Sequence, residues 1–119
     1  LDGGIRAAER LVGDAGLRGS PASLPDAIVC ANDDVASGVL AVLRMRGVAV
    51  PGMVQVASLL DLSPGAEDHS TTTLRHPWPE MGREAVRLLA SREVGAGAAR
   101  VARRVSLAPQ LVPGESTRA

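Results

Sequence analysis

Polar side chains follow two short apolar segments of this sequence, at points where a bound ligand could reach them. Asn32 and Asp33 come directly after the apolar segment 26–31, and Asp61 follows the second apolar segment, 53–59. In open α/β folds, small polar ligands bind outside the carboxyl ends of parallel strands, and converging polar groups indicate a pocket there. The alternative is that Asn32 or Asp33 only caps the following helix. Capping by one residue leaves ligand binding by the other open.

The residue types that perform catalysis or bind metals do not form a recognisable pattern. No serine has the Gly-x-Ser-x-Gly surroundings of a hydrolase nucleophile, and Cys30 lies inside an apolar segment rather than at a helix start. No glycine-rich segment leads into Lys-Ser or Lys-Thr, as a phosphate-binding loop would. His69 and His76 are seven residues apart and have no accompanying ligand pattern. We therefore expect no catalytic residues, no metal site and no cofactor.

Composition narrows the class of protein further. The 119 residues carry thirteen basic and thirteen acidic side chains, a formal net charge of zero. A surface that binds nucleic acid normally has a clear excess of basic over acidic side chains, so this chain is not expected to bind DNA by itself. The single cysteine excludes a disulfide framework within one chain. No apolar run approaches the roughly 18 residues that a membrane span needs, so we expect no membrane partner.

The shortage of aromatic side chains predicts a small core. Trp78 is the only aromatic residue among Phe, Tyr and Trp, and aromatic residues normally supply much of the buried area of a small domain. Small domains have little stability to spare. We therefore expect that this chain depends on another segment or on another copy of itself, and that an isolated monomer is marginally stable.

Hydrophobic periodicity predicts an α/β fold. An almost continuously apolar strand is typical of a strand covered on both faces in a parallel sheet, and the succession of strand, helix and strand predicts a βαβ unit. The expected helices cover residues 4–13, with glycines ending the first one, 35–46, and the segment from Pro77 to about residue 94; the expected strands cover 26–31, 53–59, 71–75, 103–107 and 110–112.

These segments resemble the C-terminal part of the effector-binding domain of LacI/GalR-family transcription regulators. The Ala-Asn-Asp block is shared with periplasmic sugar-binding proteins, whereas the Thr-Thr-x-x-x-Pro crossing and the terminal Glu-Ser-Thr favour the regulators. The resemblance covers nearly the whole chain and is carried by PDAIVCANDDVASGVL at 25–40, RGV at 46–48, VP at 50–51, VQVA at 54–57, STTTLRHP at 70–77, MGREAVRLL at 81–89, LV at 111–112 and EST at 115–117.

The resemblance implies part of a type I periplasmic-binding-protein-like fold, a three-layer α/β sandwich with a mainly parallel sheet. Such a domain has two subdomains around an effector cleft. Residues 1–75 would belong to the C-terminal subdomain, 76–107 to the N-terminal subdomain, and 108–119 to a tail that returns to the C-terminal one. The DNA-binding headpiece and the first half of the effector domain would lie outside this chain.

The resemblance also implies a function: a cytoplasmic, ligand-responsive regulator that binds operator DNA through its headpiece. This chain would supply effector-binding and dimerisation surfaces of a homodimer, and the effector would be sugar-like or another small polar metabolite. The alternative is an extracytoplasmic solute-binding protein of an uptake system, which uses the same fold without DNA.

Individual residues take roles from the resemblance. The resemblance implies two acidic residues after the second strand, but here the first is leucine, which cannot accept hydrogen bonds from the hydroxyl groups of a sugar. The effector expected from the resemblance stays sugar-like or another small polar metabolite. Effector-binding positions would be Asn32, Asp33, Leu60, Asp61 and His76, the last of which stands where Gln is common. Dimer-interface positions would be Ser37, Leu40, Ala41 and Asp68.

Overall fold

The structure, a computed structural model, describes residues 1–17, 24–61, 70–93 and 103–118. The chain divides into two compact units, Leu1–Arg75 with Leu111–Ala119, and His76–Gln110. Its elements in chain order are α1 (Asp2–Leu17), β1 (Ala27–Cys30), α2 (Asp33–Met45), β2 (Gln55–Ser58), β3 (Thr72–Arg75), α3 (Trp78–Glu93) and β4 (Gln110–Val112).

The mainly parallel α/β arrangement predicted from the sequence is confirmed. The four strands form one sheet in the order β1-β2-β3-β4, and β1 with β2 and β2 with β3 pair in parallel. Because β1 and β2 are neighbours joined through α2, they form the predicted βαβ unit. In the described part of the first unit, one layer of helices and the sheet supply two of the three predicted layers.

Two elements differ from the sequence-based expectation. Helix α1 continues to Leu17 although Gly13 was expected to end it. A glycine costs a helix about 1 kcal/mol, which the packing of a buried stripe can offset; Ala8 and Val12 of α1 are buried. The predicted strand 103–107 is wrong: these residues form no strand and are all exposed. Because these exposed residues pair with no described strand, an extended conformation would give them no inter-strand hydrogen bonds.

Helices α1 and α2 cross at very short distance because glycines stand at the contact. A Cβ atom on Gly38 would lie 2.5 Å from the carbonyl oxygen of Leu1, and one on Gly4 would overlap the carbonyl oxygen of Val35. By contrast, a Cβ on Gly3 would meet nothing within 4 Å. Gly4 and Gly38 are therefore required for packing, whatever they cost in helix propensity.

The helices cover the face of the sheet that carries alternate, buried strand residues. The register pairs Ile28 with Val56 and Cys30 with Ser58, so these four side chains point to the same face. On the opposite face, Val29 is 63% exposed. The core is made of small aliphatic side chains and one thiol, as the composition predicts: Ala8, Val12, Cys30, Ala36, Val39, Leu40, Val42, Leu43, Val48, Val54 and Val56.

The C-terminal segment is tied to the sheet by one buried serine. The hydroxyl of Ser116 donates to the carbonyl oxygen of Val56 at 2.6 Å and accepts from the backbone N–H of Thr72 at 2.9 Å. The backbone N–H of Val56 donates to the carbonyl oxygen of Ser116 at 2.9 Å. Ser116 thus bridges β2 and β3 just before their first residue pair, Ala57 with Thr72.

The two threonines that begin β3 have opposite hydrogen-bonding environments. Thr72 Oγ1 accepts from the N–H of Gly114 at 2.8 Å and lies 2.7 Å from Thr117 Oγ1. Thr73 Oγ1 is buried and has no hydrogen-bond partner within the described ranges. The hydroxyl group of Thr72 therefore contributes to stability, whereas the buried, unpaired hydroxyl group of Thr73 does not.

We expect Thr72→Val and Thr73→Val to change stability in opposite directions. Thr72→Val removes the acceptor of the Gly114 N–H and the hydrogen-bond partner of the Thr117 hydroxyl, and should lower the free energy of unfolding by about 1–3 kcal/mol. Thr73→Val removes a buried, unpaired hydroxyl without changing shape and should leave stability unchanged or raise it by up to about 1 kcal/mol. Urea unfolding followed by circular dichroism compares them, and equal losses would contradict these hydrogen-bond assignments.

The second unit is described by itself and centres on α3. Ion pairs join Arg83 to Glu80 and Arg87 to Glu84, as their i,i+3 spacing predicts. The apolar residues of α3 are largely exposed, including Val86 at 66% and Leu89 at 63%. Such an exposed apolar helix face indicates that other protein surface belongs against it.

Candidate functional site

The segments that follow β1 and β2 lie side by side at the carboxyl edge of the sheet. The N–H of Leu59 donates to the carbonyl oxygen of Cys30 at 2.9 Å, and the N–H of Asp33 donates to the carbonyl oxygen of Leu60 at 3.1 Å. These backbone bonds extend the parallel pairing of the two strands beyond their last residues. They bring the predicted site residues Asp33 and Leu60 together.

Asn32 caps helix α2. Its backbone is extended, with φ −154° and ψ 172°, and its side-chain oxygen accepts from the N–H of Val35 at 2.9 Å. This is the capping role that the sequence left open, and it leaves the amide nitrogen of Asn32 available to donate. Asp33 Oδ1 accepts from the N–H of Asp34 at 3.0 Å, so this carboxylate is also engaged with the first turn of α2.

Asp61 is buried and forms an ion pair with an arginine from the third strand. Its carboxylate oxygen Oδ2 lies 3.6 Å from Nε of Arg75, and the two side chains are 11% and 44% exposed. Sequence reasoning missed Arg75 as a site residue. The signal that could have found it is its place as the last residue of β3, which runs parallel to β2 and therefore ends at the same edge.

His76 belongs to the second unit, whereas the other predicted effector residues belong to the first. Its ring lies 5.5 Å from the ring of Trp78, centroid to centroid, with an interplanar angle of 37°. The backbone N–H of Trp78 donates to the carbonyl oxygen of His76 at 2.9 Å. The described geometry therefore places His76 at the entry to α3 and joins only Asn32, Asp33, Leu60 and Asp61 at the edge in the first unit.

The predicted dimer positions differ in exposure. Ser37 and Ala41 are exposed on α2. Leu40 is only 5% exposed and belongs to the core, so a dimer surface on α2 would be formed by its neighbours rather than by this side chain. Asp68 lies outside the described residues.

Neither a metal centre nor a reactive thiol emerges from the described geometry. Within ranges 1–17, 24–61, 70–93 and 103–118, no three His, Cys, Asp or Glu side chains are grouped so that they could hold a metal ion. Burial raises the pKa of the Cys30 thiol, which lowers the fraction of nucleophilic thiolate at neutral pH. No described helix is long and apolar enough to cross a membrane.

Comparison with known proteins decides the family. The profile of the periplasmic binding protein-like domain matches residues 2–117, nearly the whole chain. The chain belongs to the periplasmic binding protein-like domain family. The resemblance on which the sequence-based fold prediction rested is confirmed.

Related members of this family are transcription regulators. The arabinose metabolism transcriptional repressor of Geobacillus stearothermophilus is 38% identical over 66 residues, which are 55% of this chain and 18% of the repressor. A structure described as a LacI-family transcriptional regulator from Sanguibacter keddieii is 37% identical, with a TM-score of 0.77, and the match covers 98% of this chain and 40% of that one.

A second structure of a relative contains a ligand. The LacI-family regulator of Lactobacillus casei with bound sucrose is 28% identical, with a TM-score of 0.70, and the match covers 96% of this periplasmic binding protein-like chain and 39% of that protein. The chain thus spans about two fifths of the length of these structural relatives. The likeness favours regulators over solute-binding proteins of uptake systems.

Two substitutions at Asn32 test its role as the N-terminal cap of α2. Asn32→Ala leaves the Val35 N–H without its acceptor and should lower the free energy of unfolding by about 1 kcal/mol. Asn32→Ser keeps a capping oxygen and should change stability by only a few tenths of a kcal/mol, because serine caps helices about as well as asparagine. Thermal unfolding of both variants measures this, and equal destabilisation would contradict the capping geometry.

Proposed function

We propose that this chain is the C-terminal effector-binding and dimerisation part of a LacI-type transcription regulator. The observation that carries the proposal is the polar carboxyl edge formed after β1, β2 and β3, in a chain whose relatives are such regulators. Operator DNA would be bound by a headpiece in the remainder of the protein, and the effector is a small polar metabolite. The protein acts in the cytoplasm, where its DNA is, and does not act as an enzyme.

The effector site uses the amide nitrogen of Asn32 together with Asp33, Leu60 and Asp61 at the edge of the first unit. The effector-binding role of His76 stays a prediction from the sequence resemblance. A relative from Lactobacillus casei holds sucrose, which supports small-molecule binding by this type of domain. The solute-binding alternative is disfavoured because the similar proteins are regulators.

The regulatory mechanism is a population shift. The chain passes from the first unit to the second between Arg75 and His76 and returns between Gln110 and Leu111, so the neighbouring strands β3 and β4 carry both crossings. An effector that binds one arrangement of a two-unit domain more tightly than another shifts the equilibrium toward that arrangement. In the complete protein, that shift changes how the DNA-binding headpieces are presented.

Unpartnered apolar side chains support the existence of further protein surface in the complete regulator. Val29 is 63% exposed on the sheet of the first unit, and Leu89 is 63% exposed on α3 of the second. The structural relatives are roughly two and a half times longer than this chain, since it covers 40% of one and 39% of another. The rest of the effector domain covers such faces.

DNA capture from genomic fragments tests the regulator function. The complete protein should enrich one discrete, near-palindromic sequence from the genome that encodes it, because homodimers read two related half-sites. A small metabolite should then change the affinity for that sequence. In the correctly capped Asn32→Ser variant, DNA binding should persist while the apparent effector affinity falls about tenfold, the effect of losing one good hydrogen-bonding group at a binding site.

The outcome that contradicts this function is capture of random fragments only, with the protein folded. An unchanged effector response in Asn32→Ser would instead remove Asn32 from the site and leave the regulator function standing. Asn32→Ala is the less suitable variant here, because it also removes the helix cap.

Homodimerisation through α2 is part of the proposal. The exposed side of α2 carries Asp34, Ser37, Ala41 and Arg44, at spacings of three, four and three residues that keep them on one face. The outer two residues carry opposite charges, and the inner two are small enough to let another helix approach. Position 39 is the midpoint of both pairs. A two-fold axis there would set Asp34 opposite Arg44 of the partner subunit in an antiparallel contact.

A charge exchange tests this register. Asp34→Arg or Arg44→Asp places like charges opposite each other twice per dimer and should raise the dimer dissociation constant several-fold. The double exchange, Asp34→Arg with Arg44→Asp, restores both opposite-charge pairs and should recover most of the dimer affinity. Sedimentation of the complete protein at low salt measures this. A double variant as weak as the sum of the single variants would contradict the antiparallel contact.

A further inference from the structure

We propose that the carboxyl edge of the first unit selects an effector that carries an oxyanion, a carboxylate or a phosphate, and that Arg75 is the residue that recognises it. This inference rests on the proposed effector-binding function and adds the chemical class of the ligand. It follows from the donor groups of Arg75 and Asn32 that the protein leaves unused at this edge.

Each acceptor group at the edge already has at least one partner within the protein. Asn32 Oδ1 accepts from the N–H of Val35, and Asp33 Oδ1 accepts from the N–H of Asp34. Asp61 is buried and paired with Arg75. The carbonyl oxygen of Leu60 accepts from the N–H of Asp33 and from the hydroxyl of Ser58, the latter at 3.1 Å. Part of the acceptor capacity that the hydroxyl groups of a sugar would use is therefore already taken within the protein.

Two groups with unused donors also lie at this edge. Because only an oxygen can accept from the Val35 N–H, the cap fixes the Asn32 amide with Nδ2 as its free end, where it carries two donor hydrogens. Arg75 meets Asp61 through Nε, which leaves the Nη1 and Nη2 ends of the guanidinium. A guanidinium and an amide NH₂ both require acceptor oxygens from their ligand.

Asp61 orients Arg75 without covering it. The side chain of Asp61 is 11% exposed and that of Arg75 is 44% exposed, so the acid is largely shielded from solvent whereas the arginine remains partly accessible. Nε–Oδ2 is 3.6 Å, longer than a hydrogen bond of about 2.9 Å. The pair therefore positions the arginine, while its planar end remains able to make a bidentate contact with an oxyanion.

The spacing of the strands suits one small ligand. Asn32 follows β1 and Arg75 ends β3, and β2 lies between them. Two strand spacings are about 9.6 Å, a distance that the length of an arginine side chain and a small metabolite can span together. Leu60, half-buried between these positions, offers apolar contact and adds no further negative charge to those of Asp33 and Asp61.

Ligand-induced thermal stabilisation of the complete protein tests the specificity. The probes are citrate, pyruvate and glucose 6-phosphate, with glucose and xylitol as neutral compounds, all at equal ionic strength. At least one oxyanion should raise the melting temperature, whereas the neutral compounds should not. Its dissociation constant should rise about tenfold or more in Arg75→Met and less in Arg75→Lys, which keeps the charge but not the planar fork. Arg46→Met, an exposed arginine of the same unit, is the matched control and should bind normally.

A second variant tests the role of the leucine. Leu60→Asp adds acceptor oxygens and a negative charge, so it should abolish oxyanion binding and favour neutral sugars. Stabilisation of the unaltered protein by glucose or xylitol alone, or by no oxyanion, overturns the proposal, as does an oxyanion response that Arg75→Met leaves unchanged. Glucose binding together with capture of a discrete DNA sequence would overturn only the ligand class. Oxyanion binding through Arg75 without specific DNA capture would overturn only the regulator function.

Discussion

The parallel pairing of β1, β2 and β3 is the constraint on which the proposed site depends. Parallel strands end at one edge, so the residues that follow them meet there although up to 43 positions of sequence separate Asn32 from Arg75. Ser116 stabilises this pairing because it bridges β2 and β3. The close crossing of α1 and α2 at Gly4 and Gly38 supports the same unit. The polar edge is thus a consequence of the packing of the whole first unit.

The chemistry of that edge depends on which groups the protein uses for its own structure. Asn32 caps α2 through its side-chain oxygen, and Asp61 pairs with Arg75. The hydrogen-bonding groups that these residues leave unused determine which groups a ligand needs. In the proposed site, leucine at position 60 supplies no acceptor and no charge, so the donors of Arg75 and Asn32 weigh more in the choice of ligand. Under this proposal, a change at one position would alter the class of effector while the fold stays the same.

The sequence predicts most of the fold because its local signals agree with the tertiary packing. The buried strands, α2 with its cap and the ion-paired face of α3 follow from periodicity and residue type. It fails where tertiary contacts decide. Helix α1 continues past Gly13, with Ala8 and Val12 buried against the core, and residues 103–107 are irregular and exposed. The sequence alone does not indicate Arg75, because its place at the edge depends on a contact with Asp61, 14 positions away, rather than on a local motif.

The most direct test of the account is a crystal structure of the complete protein with the small molecule that stabilises it most. The account predicts a carboxylate or phosphate oxygen about 3 Å from both the Nη end of Arg75 and Nδ2 of Asn32, with the Asp61–Arg75 pair retained. A bound polyol whose hydroxyl groups donate to Asp33 or Asp61, with Arg75 turned away from the ligand, would contradict it.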